Sequence, residues 1–194
     1  MGNRATKKCL QLAVVLFLKG PERRKGPMAL RKSSSSAADY PSSSTNPELP
    51  ILAFPDPRLR KKGKDVKKVT DSETNLARRM AYTMYSNEGI GLAATQVNFQ
   101  KNIIVMDTSE ERDDLYVMIN PEIVARSGTA RTSEACLSVP GLRALVNRSE
   151  DIIVKYTDLS GVEIEENFND MQSYCVQHEI DHLNGKILID HIAN

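Results

Sequence analysis

The sequence predicts an α+β fold, and three observations predict it. Between residues 47 and 194 apolar residues recur at helical spacing twice, from Asp71 to Asn87 and from Asp170 to Leu183. Five β-rich runs follow one another in quick succession between those helices, and Asp158-Leu159-Ser160-Gly161 joins the last two as a hairpin turn. Strands grouped together between two separate helices indicate antiparallel pairing and not a parallel βαβ array.

The first 46 residues read as a leader outside this fold. They hold nine Lys/Arg against two acids, a mostly apolar stretch from Cys9 to Leu18, and the serine clusters Ser33–Ser36 and Ser42–Ser44. Such a basic, acid-poor, serine-containing head points to a mitochondrial or plastid transit peptide, the alternative being an untargeted tail on a cytoplasmic protein or translation from Met28. Secretion is disfavoured because Lys19-Gly20-Pro21, not a small-x-small cleavage site, follows Leu18. Met1-Gly2 with Thr6 matches a myristoylation pattern so short that chance explains it.

The folded region, 47–194, opens with Ile51-Leu52-Ala53-Phe54, which Pro55 and Pro57 keep extended. Leu76, Ala77, Met80, Ala81 and Met84 form one face of the first helix, with Asp71 or Ser72 as N-cap and Gly89 closing it. The β-rich runs are 102–106, 115–119, 142–146, 152–156 and 162–166. The second helix stops at Asn184-Gly185.

Composition excludes several classes. Hydrophobic residues make up 40% and charged residues 26%, as in an ordinary globular protein. The longest apolar run, Leu12–Leu18, is far short of the roughly 20 residues of a membrane-spanning helix. Three widely spaced cysteines, Cys9, Cys136 and Cys175, make no disulfide framework and suit a reducing compartment or a metal site. The net charge of +1 divides into a basic leader and a body with 17 Lys/Arg against 23 acids, so no nucleic-acid site is evident.

Three segments carry chemistry. Gln177-His178-Glu179-Ile180-Asp181-His182 places two imidazoles four residues apart on one helical face, with Glu179 between them. Two surface histidines are the bland reading, weakened because the chain has only three histidines. A catalytic metal needs a third ligand. Leu188 stands where the extended metalloprotease motif has its third His, and the only acid after His182 is Asp190, so the ligand comes from upstream. Cys136, in Ser133-Glu134-Ala135-Cys136-Leu137-Ser138, is the best candidate, whereas Cys175 reads as a packed thiol. The third segment, Gly89-Ile90-Gly91-Leu92-Ala93-Ala94-Thr95-Gln96, offers a flexible backbone and a side-chain amide without the spacing of a nucleotide loop. Asp181 is either an exposed acid or a partner of a cation such as Arg148 that fixes the helix.

Taken in order, Gly-Ile-Gly-Leu-Ala-Ala-Thr-Gln, Glu-Ala-Cys-Leu-Ser and Gln-His-Glu-Ile-Asp-His resemble the three signature motifs of the peptide deformylases, bacterial and organellar type. The resemblance runs from about Leu49 to Ile189. It implies antiparallel sheets surrounding the helix that bears the His pair, and a metal-dependent hydrolase that removes the formyl group from the N-terminal methionine of new polypeptides. It further implies Cys136, His178 and His182 as ligands of one divalent metal, Fe(II) with Zn(II) or Ni(II) able to substitute. Glu179 is then the general base and acid. The Gln96 amide and the Leu137 N–H hold the developing oxyanion. Ile90, Tyr174, Cys175 and the ring of His178 form the methionine slot. Gly89, Gly91 and Ala135 border the substrate backbone and Arg143 lines its path. The implied partners are the nascent N-formylmethionyl chain and, transiently, the ribosome. Two departures stand out: Ala135 replaces a usual glycine, and few residues follow the second helix. A metallopeptidase and a non-catalytic metal-binding homologue are the rival classes.

Overall fold

The computed structural model describes residues 48–192, so the leader lies outside the described residues. Seven strands and two long helices follow in the order α1 (Asp71–Ser86), β1 (Gly91–Ala93), β2 (Ile103–Met106), β3 (Tyr116–Ser127), β4 (Ala130–Cys136), β5 (Val139–Arg148), β6 (Asp151–Thr157), β7 (Glu163–Asn169) and α2 (Asp170–Leu183). Five strands form one sheet in the order β1-β2-β3-β6-β7, and β4 pairs with β5 as a separate hairpin. Every strand pairing is antiparallel. The α+β class expected from the sequence is the class observed.

The sheet is covered on both faces at its β1–β3 end, and β2 shows why. Ile103 and Val105 join Leu76, Met80, Ala81 and Met84 of α1 in one core. Ile104 and Met106 turn the other way, into a second core with Val176 and Leu183 of α2 and with Phe168. Side chains on a strand alternate sides, so a strand buried on both faces reads as a continuous apolar run. The helix α2 that bears the His pair thus lies against this sheet, and the β4–β5 hairpin brings buried Cys136 against the helix at His182.

The expected strands are all present, most of them longer. Two were not anticipated. β1 has only three residues. β4 escapes a hydrophobic-alternation search because Thr132, Glu134 and Cys136 are its inward residues. β3 continues past Asn120-Pro121 by a register shift after Ile119, with Asn120 at φ 52°, so the proline sits at a bulge where no ladder donor is required.

Local signals also resolve. The N-cap of α1 is Thr70, not Asp71 or Ser72: its hydroxyl accepts from the Ser72 N–H, while the Glu73 carboxylate returns to the Thr70 N–H. Gly89 closes α1 by donating to the Met84 carbonyl at 2.9 Å, but Glu88 carries the left-handed angle, φ 55°. Gly161 at φ 83° makes the β6–β7 turn, and α2 ends at Asn184-Gly185 as expected.

Candidate active site

Helix α2 presents Cys175, His178, Glu179 and His182 at i, i+3, i+4 and i+7, and β4 brings Cys136 against them from the opposite side. The Nε2 atoms of His178 and His182 stand 3.2 Å apart, and Cys136 Sγ lies 3.1 Å from Nε2 of His182. All three ligand atoms fall within 4.8 Å of one another. One thiolate and two imidazoles converging on a point are a donor set for a borderline divalent ion. Among the described residues no other trio of metal-ligating side chains clusters in this way.

The surroundings fit such an ion. Nδ1 of His178 is 2.9 Å from the Glu134 carboxylate, which leaves its Nε2 facing the centre. Glu134 is buried and also accepts from Arg148 at 2.8 and 3.0 Å. Burial favours its neutral acid, but His178 and Arg148 outweigh that and hold it down to about 2. Arg148 extends the chain of contacts by donating to Asp181 at 2.6 Å, and Nε2 of His191 lies 2.9 Å from the same Asp181 oxygen. Asp181 is therefore the cation-paired residue, with Arg148 as its partner.

The two described cysteines differ sharply. Burial pushes both thiols up, yet at Cys136 the charge and hydrogen bonds of His182 and His178 prevail and lower it well below the ordinary range. Cys175 has no such partner; burial, with Glu179 and Glu134 nearby, raises it well above that range. Only Cys136 is poised as a thiolate ligand.

Glu179 is buried in the cleft wall, and its Oε2 has no hydrogen-bond partner among the described residues. Burial pushes its carboxyl up to about 7, against the opposing pull of His178 and His182. A buried, unpartnered carboxylate beside a ligand set is placed to exchange a proton with a water or substrate there. Gln96, also buried, is fixed in orientation: its Oε1 accepts from the Ala93 N–H at 2.8 Å while Nε2 donates to Ser138 Oγ at 3.1 Å and points towards Cys136 Sγ at 3.8 Å.

These groups line a cleft of about 390 Å³. Gly89, Ile90, Gly91, Gln96, Ala135, Cys136, Leu137, Tyr174, Cys175, His178 and Glu179 border it, and His182 lies behind, fully buried. Arg143 stands outside this lining, exposed on β5 directly across from Ala135. Gly91 is required where it is: a Cβ there would sit 2.7 Å from Cys175 Sγ and closer still to the Glu179 carboxylate.

Sequence reasoning assigned no role to Glu134, Ser138, His191 or Arg112. Arg112 donates to the Gly89 carbonyl at 2.6 Å and lies 5.8 Å from the Tyr85 ring centre, bracing the cleft wall from the 107–114 loop. A signal existed only for Glu134, whose position two residues before Cys136 puts both on one face of a strand.

The sequence pattern of the polypeptide deformylase family matches residues 48–194. This chain belongs to that family. It is 47% identical over 145 residues to peptide deformylase 2 of Nitrosomonas europaea, covering 75% of this chain and 78% of the relative. The crystal structure of a peptide deformylase from Legionella pneumophila matches with a TM-score of 0.72 at 39% identity, over 75% of this chain and 86% of that one. A Met-Ala-Ser-bound class I type b peptide deformylase from Acinetobacter baumannii matches with a TM-score of 0.70 at 32% identity, over 75% and 99%. The family member described here is accordingly a metal-dependent hydrolase that removes the N-formyl group from nascent peptides. No helix among the described residues is long and apolar enough to cross a membrane.

Proposed function

We propose that Glu179, Gln96 and Leu137 divide the chemistry of deformylation, with Cys136, His178 and His182 holding the metal. The observation that carries this reading is the convergence of the three ligand atoms beside an unpartnered, buried Glu179 carboxylate. Lewis acidity, which polarises a carbonyl and makes water a stronger acid, is what a divalent ion supplies there. Glu179 accepts a proton from the attacking water as the oxygen joins the formyl carbon, and delivers it to the amine nitrogen as the C–N bond breaks. Formate and a free methionyl amine leave. Gln96, its NH2 held towards Cys136, and the Leu137 backbone N–H stabilise the oxyanion.

The methionine side chain enters between Ile90, Tyr174, Cys175 and the ring of His178. The chain beyond it runs extended past Gly89, Gly91 and Ala135 towards Arg143 as an added strand. The Met-Ala-Ser peptide in the Acinetobacter baumannii relative supports an N-terminal methionyl occupant. The metal we propose is Fe(II), replaceable by Zn(II) or Ni(II). The partner beyond the nascent chain is the ribosome, contacted transiently. Residues 1–46 form a separate leader directing the 47–194 catalytic domain to a mitochondrion or plastid, a reading supported by their composition alone.

The test is formate release from a formyl-Met peptide by anaerobically prepared, iron-loaded protein, beside Glu179→Ala. The variant should keep its metal and lose about 10²- to 10⁴-fold in turnover, the usual contribution of proton transfer. A variant as active as the parent, or one without metal, would overturn the assignment of Glu179.

A further inference from the structure

We propose that the segment Arg58–Lys68 is a docking strip for structured RNA, a second functional surface separate from the cleft. The inference rests on the reading that the substrate is a nascent chain, and it gives that chain's source a place to be held.

The strip is the one strongly basic run of the described fold. Seven of its eleven residues are Lys or Arg and one is acidic, so the rest of 47–194 keeps ten Lys/Arg against 22 Asp/Glu. Averaging the whole body to 17 against 23 conceals this. Arg58 and Arg60 are paired with Asp56 and Asp190. Lys61, Lys62, Lys64, Lys67 and Lys68 are exposed, with no ion-pair partner among the described residues. The single acid, Asp65, is engaged by the Asn102 amide at 2.8 Å. Exposed Lys186 follows Gly185, which packs against the Arg60 carbonyl, and adds a sixth lysine beside the strip.

A charged run on a surface is commonly no more than solvated, but this one is built in. The Gly63 N–H donates to the Leu183 carbonyl at 2.8 Å. Lys64 donates to the Gln100 carbonyl at 3.2 Å and accepts from the Asn102 N–H at 2.9 Å. Val66 exchanges two hydrogen bonds with the Asn120 side chain at 2.8 and 2.9 Å, and with Val69 it packs on the α1 core. The backbone is thus anchored at three successive points while the lysines all face water, so little ordering entropy remains to be lost on binding.

The chemistry favours a phosphate backbone over a membrane. The strip's apolar residues, Leu59 and Val66, are packed into the interior, Leu59 with Leu52 and Ile187 and Val66 on the α1 core, leaving no apolar anchor to enter a lipid surface. The rest of the body carries a twelve-charge acidic excess, which disfavours RNA on the remainder of the fold and orients it on the strip. The strip meets α2 at its last residue, Leu183, beyond Glu179, the last residue of the helix to line the cleft, and none of residues 58–68 lines the cleft. Docking therefore leaves the cleft free for the peptide.

The experiment compares the full chain with a combined Lys61→Gln, Lys62→Gln, Lys67→Gln, Lys68→Gln variant, titrated against a labelled RNA duplex of about 20 base pairs between about 50 and 200 mM salt. The basic leader is present in both, so the difference reports the strip. We expect at least roughly tenfold weaker binding and a salt slope smaller by about three, while the four-Lys→Arg variant binds like the parent. Hydrolysis of a formyl-Met tripeptide should agree within about twofold across all three proteins, which also shows that they are folded. RNA affinity unchanged by the glutamines overturns the proposal, as does a larger loss on phosphatidylserine vesicles or polyglutamate than on RNA. If the parent fails on the tripeptide, the deformylase reading fails, and the RNA titration still decides the strip separately.

Discussion

Replacing Gly91 by alanine tests whether Glu179 acts from the position the structure gives it. The added Cβ would lie 2.7 Å from Cys175 Sγ, where ordinary contact begins at 3.4 Å, and nearer than that to the Glu179 carboxylate. The thiol must retreat by about 0.7 Å and the carboxylate by somewhat more, on the order of 1 Å, a displacement that can cost about 10²-fold in rate. The ligands are untouched, so metal content should stay full while kcat on a formyl-Met peptide falls by about that factor. Adding Cys175→Ala removes the sulfur contact but not the carboxylate contact, so the double variant should remain impaired. Full metal with kcat within about threefold of the parent would refute the reasoning, because it would mean that the proton carrier tolerates a shift that geometry says it cannot.

Cys136→Ala should lose the metal by elemental analysis, because two imidazoles alone hold a divalent ion poorly, while Cys175→Ala should keep it. Glu134→Gln removes the carboxylate that orients His178 and should weaken metal retention against a chelator by about 10- to 100-fold. Glu73, held down to about 2 first by Lys101 and then by Thr70, contributes stability that is complete above its ordinary value of 4.5 and disappears as pH falls towards 2. Glu73→Gln should therefore cost about 1 to 2 kcal/mol at neutral pH, allowing for the part-exposed Lys101, and only a small fraction of that at about pH 2; chemical denaturation across that range checks the sign. Ala135→Gly, which removes a methyl bordering the substrate path, should leave metal content alone and raise kcat/KM by roughly two- to tenfold. No change across several peptides would show that the methyl is accommodated.

What was legible in the sequence followed from local geometry. The His178–Glu179–His182 spacing needs only a helix, and α2 runs over the residues its periodicity indicated. The α1 face of Leu76, Met80 and Met84 was equally plain. β4 was not, because a strand is recognised by apolar residues on its buried side and this one buries Thr132, Glu134 and Cys136 instead. The polar groups that hid the strand are those that hold and orient the ligands. Arg112 and His191 were invisible for another reason: each acts through a contact from a different element, Arg112 on Gly89 and His191 on Asp181, and neither partner is within helical or strand reach in the chain.

The same physics explains why the third ligand comes from β4 and not from Cys175, three residues from His178. A helix offers ligands along one face, so two imidazoles occupy one side of an ion, and a further donor from that face adds no enclosure. The donor has to arrive from a second element held firmly opposite. Apolar packing gives the β4–β5 hairpin a modest anchor, since its own core is Cys136, Val139, Ala144, Val146 and Leu188. The rest is electrostatic. Arg148 of β5 binds Glu134 within the hairpin and Asp181 on the helix, while Glu134 reaches His178 directly. Arg148 is buried, and burial alone would make its charge costly, but Glu134 and Asp181 keep it firmly protonated. A buried ion network adds little net stability over an apolar core, yet it tolerates only one register between the elements it joins. Here that register is the one that sets a thiolate on the strand against two imidazoles on the helix.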